Sequence, residues 1–335
     1  IVFAVKWMMG DKLIIYALLL FFVCIANFFI HYCYCRKAFP QYRLTIPKER
    51  TGLKGMFGYM GWSLAGQAMV MLTNQGVTML INVFTGVVVN AAMGISNTIT
   101  NIVSQFVSNF QTAFNPQITK YYVSGETNNL NQLIYRASRY SSFLVLVFLI
   151  PIIFQADTFL SLWLGDYPQY SVQFCILTVC CIYLEALSGP LWMLMGSDTN
   201  IRRYQIIVSS IFSLNFIGSW ILLYFGLPPY NVIVVRLFVC LALIVARLIL
   251  CKQKVSSFSI SRWIGDTVLR SMGIVAVPIL INLVMLNISF TNRFIEFFTI
   301  CAVSVVLTGF GIYAIGLTDG ERKLIISKVC TFIRK

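Results

Sequence analysis

The sequence predicts an all-α, polytopic membrane protein, a helical bundle of about nine spans. Two observations carry this. Apolar residues make up 59% of the 335 residues and charged ones 11%, against roughly 45–50% and about 25% in soluble domains. The apolar residues also gather in runs of about 20, the length an α-helix rising 1.5 Å per residue needs to cross about 30 Å of hydrocarbon. Both faces of each run are apolar, which excludes the alternating pattern of a membrane barrel. Lipid offers a backbone amide no partner, so helices remain.

Polar punctuation places the spans near residues 13–33, 57–82, 86–111, 141–163, 171–195, 205–225, 231–250, 267–287 and 294–316. Short connectors fall at 84–86 and 226–230, longer ones at 34–55, 112–140 and 251–266. The first ten residues are too short to cross a bilayer and end at the charged pair Asp11 and Lys12. They read as the tail of an earlier helix, with the chain as the C-terminal part of a longer protein. A cleaved signal peptide does not fit this pattern.

Charge gives the orientation. Of 25 basic residues, only Lys6, Lys12 and Arg293 fall on one side, and Arg236 lies inside a span. All others fall in alternate loops on the opposite side, at 36–54, 120–139, 202–203, 247–270 and 322–335. Under the positive-inside rule that side is cytoplasmic, and the C-terminus with it. The net charge of +14 is therefore a topology signal and not a nucleic-acid surface. Ten cysteines include no CxxC pair, and most lie in spans (Cys24, Cys175, Cys180, Cys181, Cys240, Cys301). Neither a disulfide framework, a metal site nor a cofactor is expected. The single histidine, His31, ends a span without partner ligands.

The connector 112–140 carries Leu130, Leu133, Ile134 and Ala137 at helical spacing, with Arg136 and Arg139 off that face. It reads as a cytoplasmic amphipathic helix running into the next span, either an interfacial anchor or a moving gate. Lys120, Arg136, Arg139, Arg202 and Arg203 are the candidate gate and loop cations.

Polar residues inside the spans are the candidate functional set. Asn97, Asn101, Ser104, Ser108, Gln111 and Asn115 recur at alternating steps of four and three, one helical stripe. Ser63, Gln67, Asn74 and Thr78 form a second stripe on the preceding span. Buried amides need hydrogen-bond partners. Such stripes either join helices, at about 1 kcal/mol per bond, or line a hydrated cavity. Glu185 and Arg236 sit deeper than topology requires, and Arg247 follows Arg236 by eleven residues, about 20° away on the same face. Arg236 either snorkels or places positive charge in a cavity that accepts phosphate. Arg247 reads as a topology charge near the span's end. Glu185 is the partner of Arg236, or a cation or proton site. Pro151, Pro190 and Pro278 interrupt spans and are expected to kink them.

Several local motifs then carry a resemblance. They are N-Q-G at 74–76, I-N-V-F-T-G at 81–86, N-A-A-M-G-I at 90–95 and F-N-P-Q-I-T-K at 114–120. Y-Y-V-S-G-E at 121–126, W-L-G-D-Y-P-Q-Y at 163–170, L-S-G-P at 187–190, R-Y-Q at 203–205 and L-T-D-G-E-R at 317–322 follow in order. Together the chain resembles the bacterial polysaccharide transporter, O-antigen flippase-like family, whose superfamily includes the multidrug and toxin extrusion (MATE) antiporters.

The resemblance implies two six-helix lobes around a central cavity. Residues 1–33 would end the first lobe, 34–56 form a cytoplasmic inter-lobe linker and 57–250 the second lobe. Residues 251–335 would add two further membrane helices and a cytoplasmic tail. The implied activity is flipping undecaprenyl-diphosphate-linked oligosaccharide from the cytoplasmic to the periplasmic leaflet of the bacterial inner membrane. Lipid-linked oligosaccharide and membrane lipids are the implied partners, with polymerase or other assembly proteins beside them. Gln67, Asn74, Asn97 and Asn101 would face the cavity and Arg236 would help hold the diphosphate. The main departure from the family is the absent first lobe, without which the chain alone is not expected to transport. A MATE-type cation or drug antiporter would want acidic residues in its spans, and Glu185 is the only one well inside. A membrane enzyme would want clustered carboxylates or a large outer loop, and Asp157, Asp166 and Glu296 are scattered.

Overall fold

Helices account for nearly all of the computed structural model, which describes residues 12–39, 53–198, 200–285, 292–323 and 327. Among the described residues there is no strand. The helices are α1 (Lys12–Ala38), α2 (Leu53–Thr85), α3 (Val87–Thr112), α4 (Asn115–Val123), α5 (Thr127–Leu164), α6 (Ser171–Gly196), α7 (Arg202–Tyr224) and α8 (Asn231–Lys254). Two more follow, α9 (Ile260–Met285) and α10 (Arg293–Gly316). Counting α3 and α4 as one continuous segment, nine are long and apolar enough to cross a membrane, as the apolar runs predict. The expected helix tail at 1–10, most of the linker at 34–56 and most of the basic tail lie outside the described residues.

The chain divides into two compact units, Ile1–Lys54 and Gly55–Lys335. In the first, α1 is apolar around its whole circumference and exposed along its length, with Ile14, Phe22 and Phe28 all open. In the second, α6 is the most buried span, packed by α3, α4, α5 and α8, while α7 packs on α8. α9 and α10 pack on each other and on α5. Small residues set the closest approaches. A Cβ on Gly76 would fall 2.8 Å from the Phe216 ring, and one on Gly218 2.8 Å from Val235. Polar side chains join spans at depth: Ser96 to Thr178 (2.6 Å), Gln111 to the Ala186 carbonyl (2.9 Å), Ser142 to Ser271 (3.1 Å) and Ser304 to Asn282 (3.0 Å).

Turn chemistry ends the helices where the chain must reverse. Gly86, with φ +85°, separates α2 from α3, a backbone region that residues with a Cβ rarely adopt. Asn292 caps α10 by accepting from the Phe294 N–H at 2.9 Å, which satisfies one orphan donor of the first turn. α5, at 38 residues, is about 57 Å long, far more than one bilayer crossing. Its first three turns are the amphipathic segment expected at the end of the 112–140 connector. It breaks at Gln155 (φ −126°, ψ 16°), one turn after Pro151. Two π-helical turns, Ile264–Leu269 in α9 and Ile312–Gly316 in α10, were not legible in the sequence.

The basic loops of the second unit meet at one end of the bundle, as the alternation of charge requires. Asn131 donates to Ser257 (2.9 Å), the Ser259 N–H to the Tyr135 hydroxyl (2.9 Å), and Arg270 to the Gly316 carbonyl (3.4 Å). Thr119 bonds Ser197, Lys254 pairs with Asp198, and the Tyr59 hydroxyl donates to the Gly196 carbonyl (3.0 Å).

Candidate functional site

Two ion-bearing helices face each other at the centre of the second unit. On α8, Arg236 donates from Nη2 to Glu185 Oε1 on α6 at 2.9 Å. The Arg236 Nε–H is buried and has no partner among the described residues. Cys240, one turn along, places its thiol 3.8 Å from the same carboxylate oxygen. Three turns beyond Arg236, Arg247 donates from Nη1 to the Ser188 hydroxyl (2.5 Å) and from Nε to the Tyr204 hydroxyl on α7 (3.2 Å). Ser188 in turn donates to the Glu185 carbonyl at 3.2 Å. The repeat explains this local order: 236, 240 and 247 share one side of α8, and 185 and 188 one side of α6.

These groups open onto a cavity of about 370 Å³ bounded by α2, α6, α7 and α8. Its polar lining is Asn74, Glu185, Ser188, Arg236 and Arg247, and its walls include Leu184, Trp192, Phe212 and Leu243. Asn74 and Trp192 are exposed, so the mouth lies between α2 and α6. Two guanidinium groups face one carboxylate. Arg236 is matched by Glu185, whereas Arg247 has only hydroxyl partners and no carboxylate among the described residues. A charge at membrane depth costs several kcal/mol unless it is paired or hydrated, and a cation held by neutral oxygens leaves its field open to an anion. Among the described residues, no three His, Cys, Asp or Glu side chains gather as metal ligands.

Of the residues singled out from sequence, Asn74, Glu185 and Arg236 come together at the cavity. Gln67, exposed on α2, lies outside its lining, as do Asn97, Asn101, Ser104 and Ser108 on α3. The buried face of α3 is Ala92, Ser96, Ile99, Val103, Val107 and Gln111. The amide stripe runs along its border, with Asn97 and Ser104 half-buried and Asn101 and Ser108 exposed. Arg247, counted from sequence as a topology charge, belongs to the site, and the 20° offset from Arg236 was the signal for it. Ser188 and Tyr204, quoted from sequence only within motifs, and Trp192 were not among the candidate site residues. Ser188, three residues from Glu185, was the one within reach of helical spacing.

The expected loop cations divide. Lys120 and Arg203 are exposed. Arg202 lies over the Trp62 ring at 5.0 Å. Arg136 is exposed and 3.7 Å from Glu321. Arg139 lies off the face of Leu130, Ile134 and Ala137, as its spacing predicts, but that side is buried as well: it is 3% exposed and donates to Glu321 Oε1 at 2.5 Å. The docked segment after α10 supplies the carboxylate that makes its burial tolerable.

Comparison of the chain with protein-family models, with curated proteins and with solved structures found no match.

Proposed function

We propose that this multi-pass membrane protein transports an anionic lipid-linked oligosaccharide of the undecaprenyl-diphosphate class. It carries the head group from the cytoplasmic to the periplasmic leaflet of the bacterial inner membrane, with the basic end of the bundle cytoplasmic. The observation that carries this reading is Arg247, a cation facing a cavity inside the bundle and held, among the described residues, only by Ser188 and Tyr204. A sugar diphosphate cannot enter hydrocarbon unassisted, whereas its lipid tail is at home there. A polar, net-positive recess lowers the cost for the head group alone, and alternating exposure of the recess moves it across.

A cation antiporter would need a free carboxylate at depth. The Glu185 carboxylate is held by Arg236, which favours an anionic substrate. In cells producing the complete reading frame, Arg236→Ala and Arg247→Ala are expected to lower surface polysaccharide at unchanged protein level in the membrane. Export at the wild-type rate in both variants overturns the reading.

A further inference from the structure

The cavity holds its two arginines differently. Arg247 rests on hydroxyl groups that leave its charge uncancelled. Arg236 is neutralised by Glu185, and its Nε–H is left without a partner among the described residues. The site can therefore cancel one negative charge as it stands, while a diphosphodiester carries two. The second charge must come to Arg236, where Glu185 already sits. The two members of that pair are unequal: the Glu185 side chain is 41% exposed and that of Arg236 17%. The carboxylate is the outer partner, on the cavity side, and the guanidinium the fixed one.

We infer that Glu185 is an internal stand-in for the second phosphate. It occupies Arg236 in the empty cavity and swings off when an anionic head group takes Arg236. This rests on the anion-transport reading above and adds its regulation. The carboxylate therefore competes with the incoming anion for Arg236, and the empty site holds its own affinity down until Glu185 is displaced.

No other group on the lining competes for this role. From α8, Arg236, Cys240 and Arg247 face the cavity. From α6 itself, Cys181 lies one turn before Glu185 and interacts with it and with Cys240. α7 brings Tyr204 to Arg247 and Phe212 to the wall, α2 brings Asn74, and α3 brings Gln111 to the neighbouring Ala186 carbonyl. Neither α4 nor α5 contributes to the lining.

The test measures binding of farnesyl-diphospho-N-acetylglucosamine to the complete protein in detergent. Glu185→Gln, which cannot hold Arg236 as an anion, is expected to bind about tenfold tighter than the wild type, and Glu185→Gln combined with Arg236→Ala to lose that gain. Wild-type protein that fails to bind the probe overturns the anion reading itself. Binding by Glu185→Gln that is no tighter than that of the wild type overturns the role of Glu185 and leaves the anion reading standing. If Glu185→Gln does not fold, Glu185→Asp, whose shorter side chain holds Arg236 less closely, takes its place with the same expected direction.

Discussion

The side-chain amide of Gln111 donates to the carbonyl of Ala186 at 2.9 Å, and that carbonyl is the one Pro190 deprives of its helical donor. Residue 190 should supply the N–H for the carbonyl four residues earlier, and proline has none. In a membrane no water replaces it. A side chain from α3 therefore completes the backbone of α6 one residue from Glu185. Gln111→Leu is expected to destabilise the protein by about 1 kcal/mol in thermal unfolding of the purified protein. Pro190→Ala restores the missing N–H, so the double variant should recover much of that loss. Strictly additive effects would show that the two residues are uncoupled.

Gly189 faces the same amide. A Cβ there would stand 2.3 Å from Gln111 Oε1 and 2.5 Å from Nε2. Gly189→Ala should push the Gln111 side chain off Ala186 and mimic Gln111→Leu. The substitutions combined should cost little more than either alone. Melting temperatures of the three proteins provide the check.

The tie between Arg139 and Glu321 makes the segment after α10 sensitive to acid. Burial pushes the Glu321 carboxyl up, but hydrogen bonds from Tyr140 and Thr318 and the charge of Arg139 outweigh it and hold the pKa down at about 2. The unfolded value is about 4.3. The sign follows: the pair contributes its full stability above the unfolded pKa and loses it as pH falls through the folded one. The protection of amides at the end of α10 against hydrogen exchange, relative to the intrinsic rate at each pH, should be high at neutral pH and fall between about pH 4 and pH 2. Glu321→Gln leaves Arg139 buried without a counter-charge, at a cost of about 3 kcal/mol. It should expose the segment at every pH, and slow exchange in this variant would contradict the account.

The exposed amides of α3 should be wet if they face a conduit. In protein freed of its native cysteines, Asn101→Cys and Ser108→Cys are expected to react with a water-borne thiol reagent. Ser96→Cys, buried against Thr178, should not. Inert cysteines at 101 and 108 would assign that face to lipid or to protein packing.

The features legible in the sequence are those fixed by one segment at a time. Each span needs only its own apolar run, so all nine could be placed, and the loops carry their own basic residues. The common face of Arg236 and Arg247 follows from helical pitch. Contacts between distant segments were not legible. Nothing local assigns Glu321 to Arg139, 182 residues away, and the burial of that arginine followed only from the docked segment. The role of Gln111 depended on a proline in another helix, which made one member of a polar stripe a brace while Asn74, on another stripe, lines the cavity. Whether a given amide joins helices or meets water is decided by the partner opposite, and periodicity describes one helix alone.

The two π-turns have a consequence for how the chain tolerates change in length. A turn closed by i→i+5 bonds holds one residue more than an α-turn. Removing a single residue within Ile264–Leu269 would convert that wide loop into regular helix. The rest of α9 would keep its rotational phase, with Ser271 still towards Ser142 and Asn282 towards Ser304. The same holds at Ile312–Gly316 for the docking of Glu321 on Arg139. These are the places in the spans where a deletion would be absorbed, whereas one in α6 would turn Glu185 by about 100° away from its arginine.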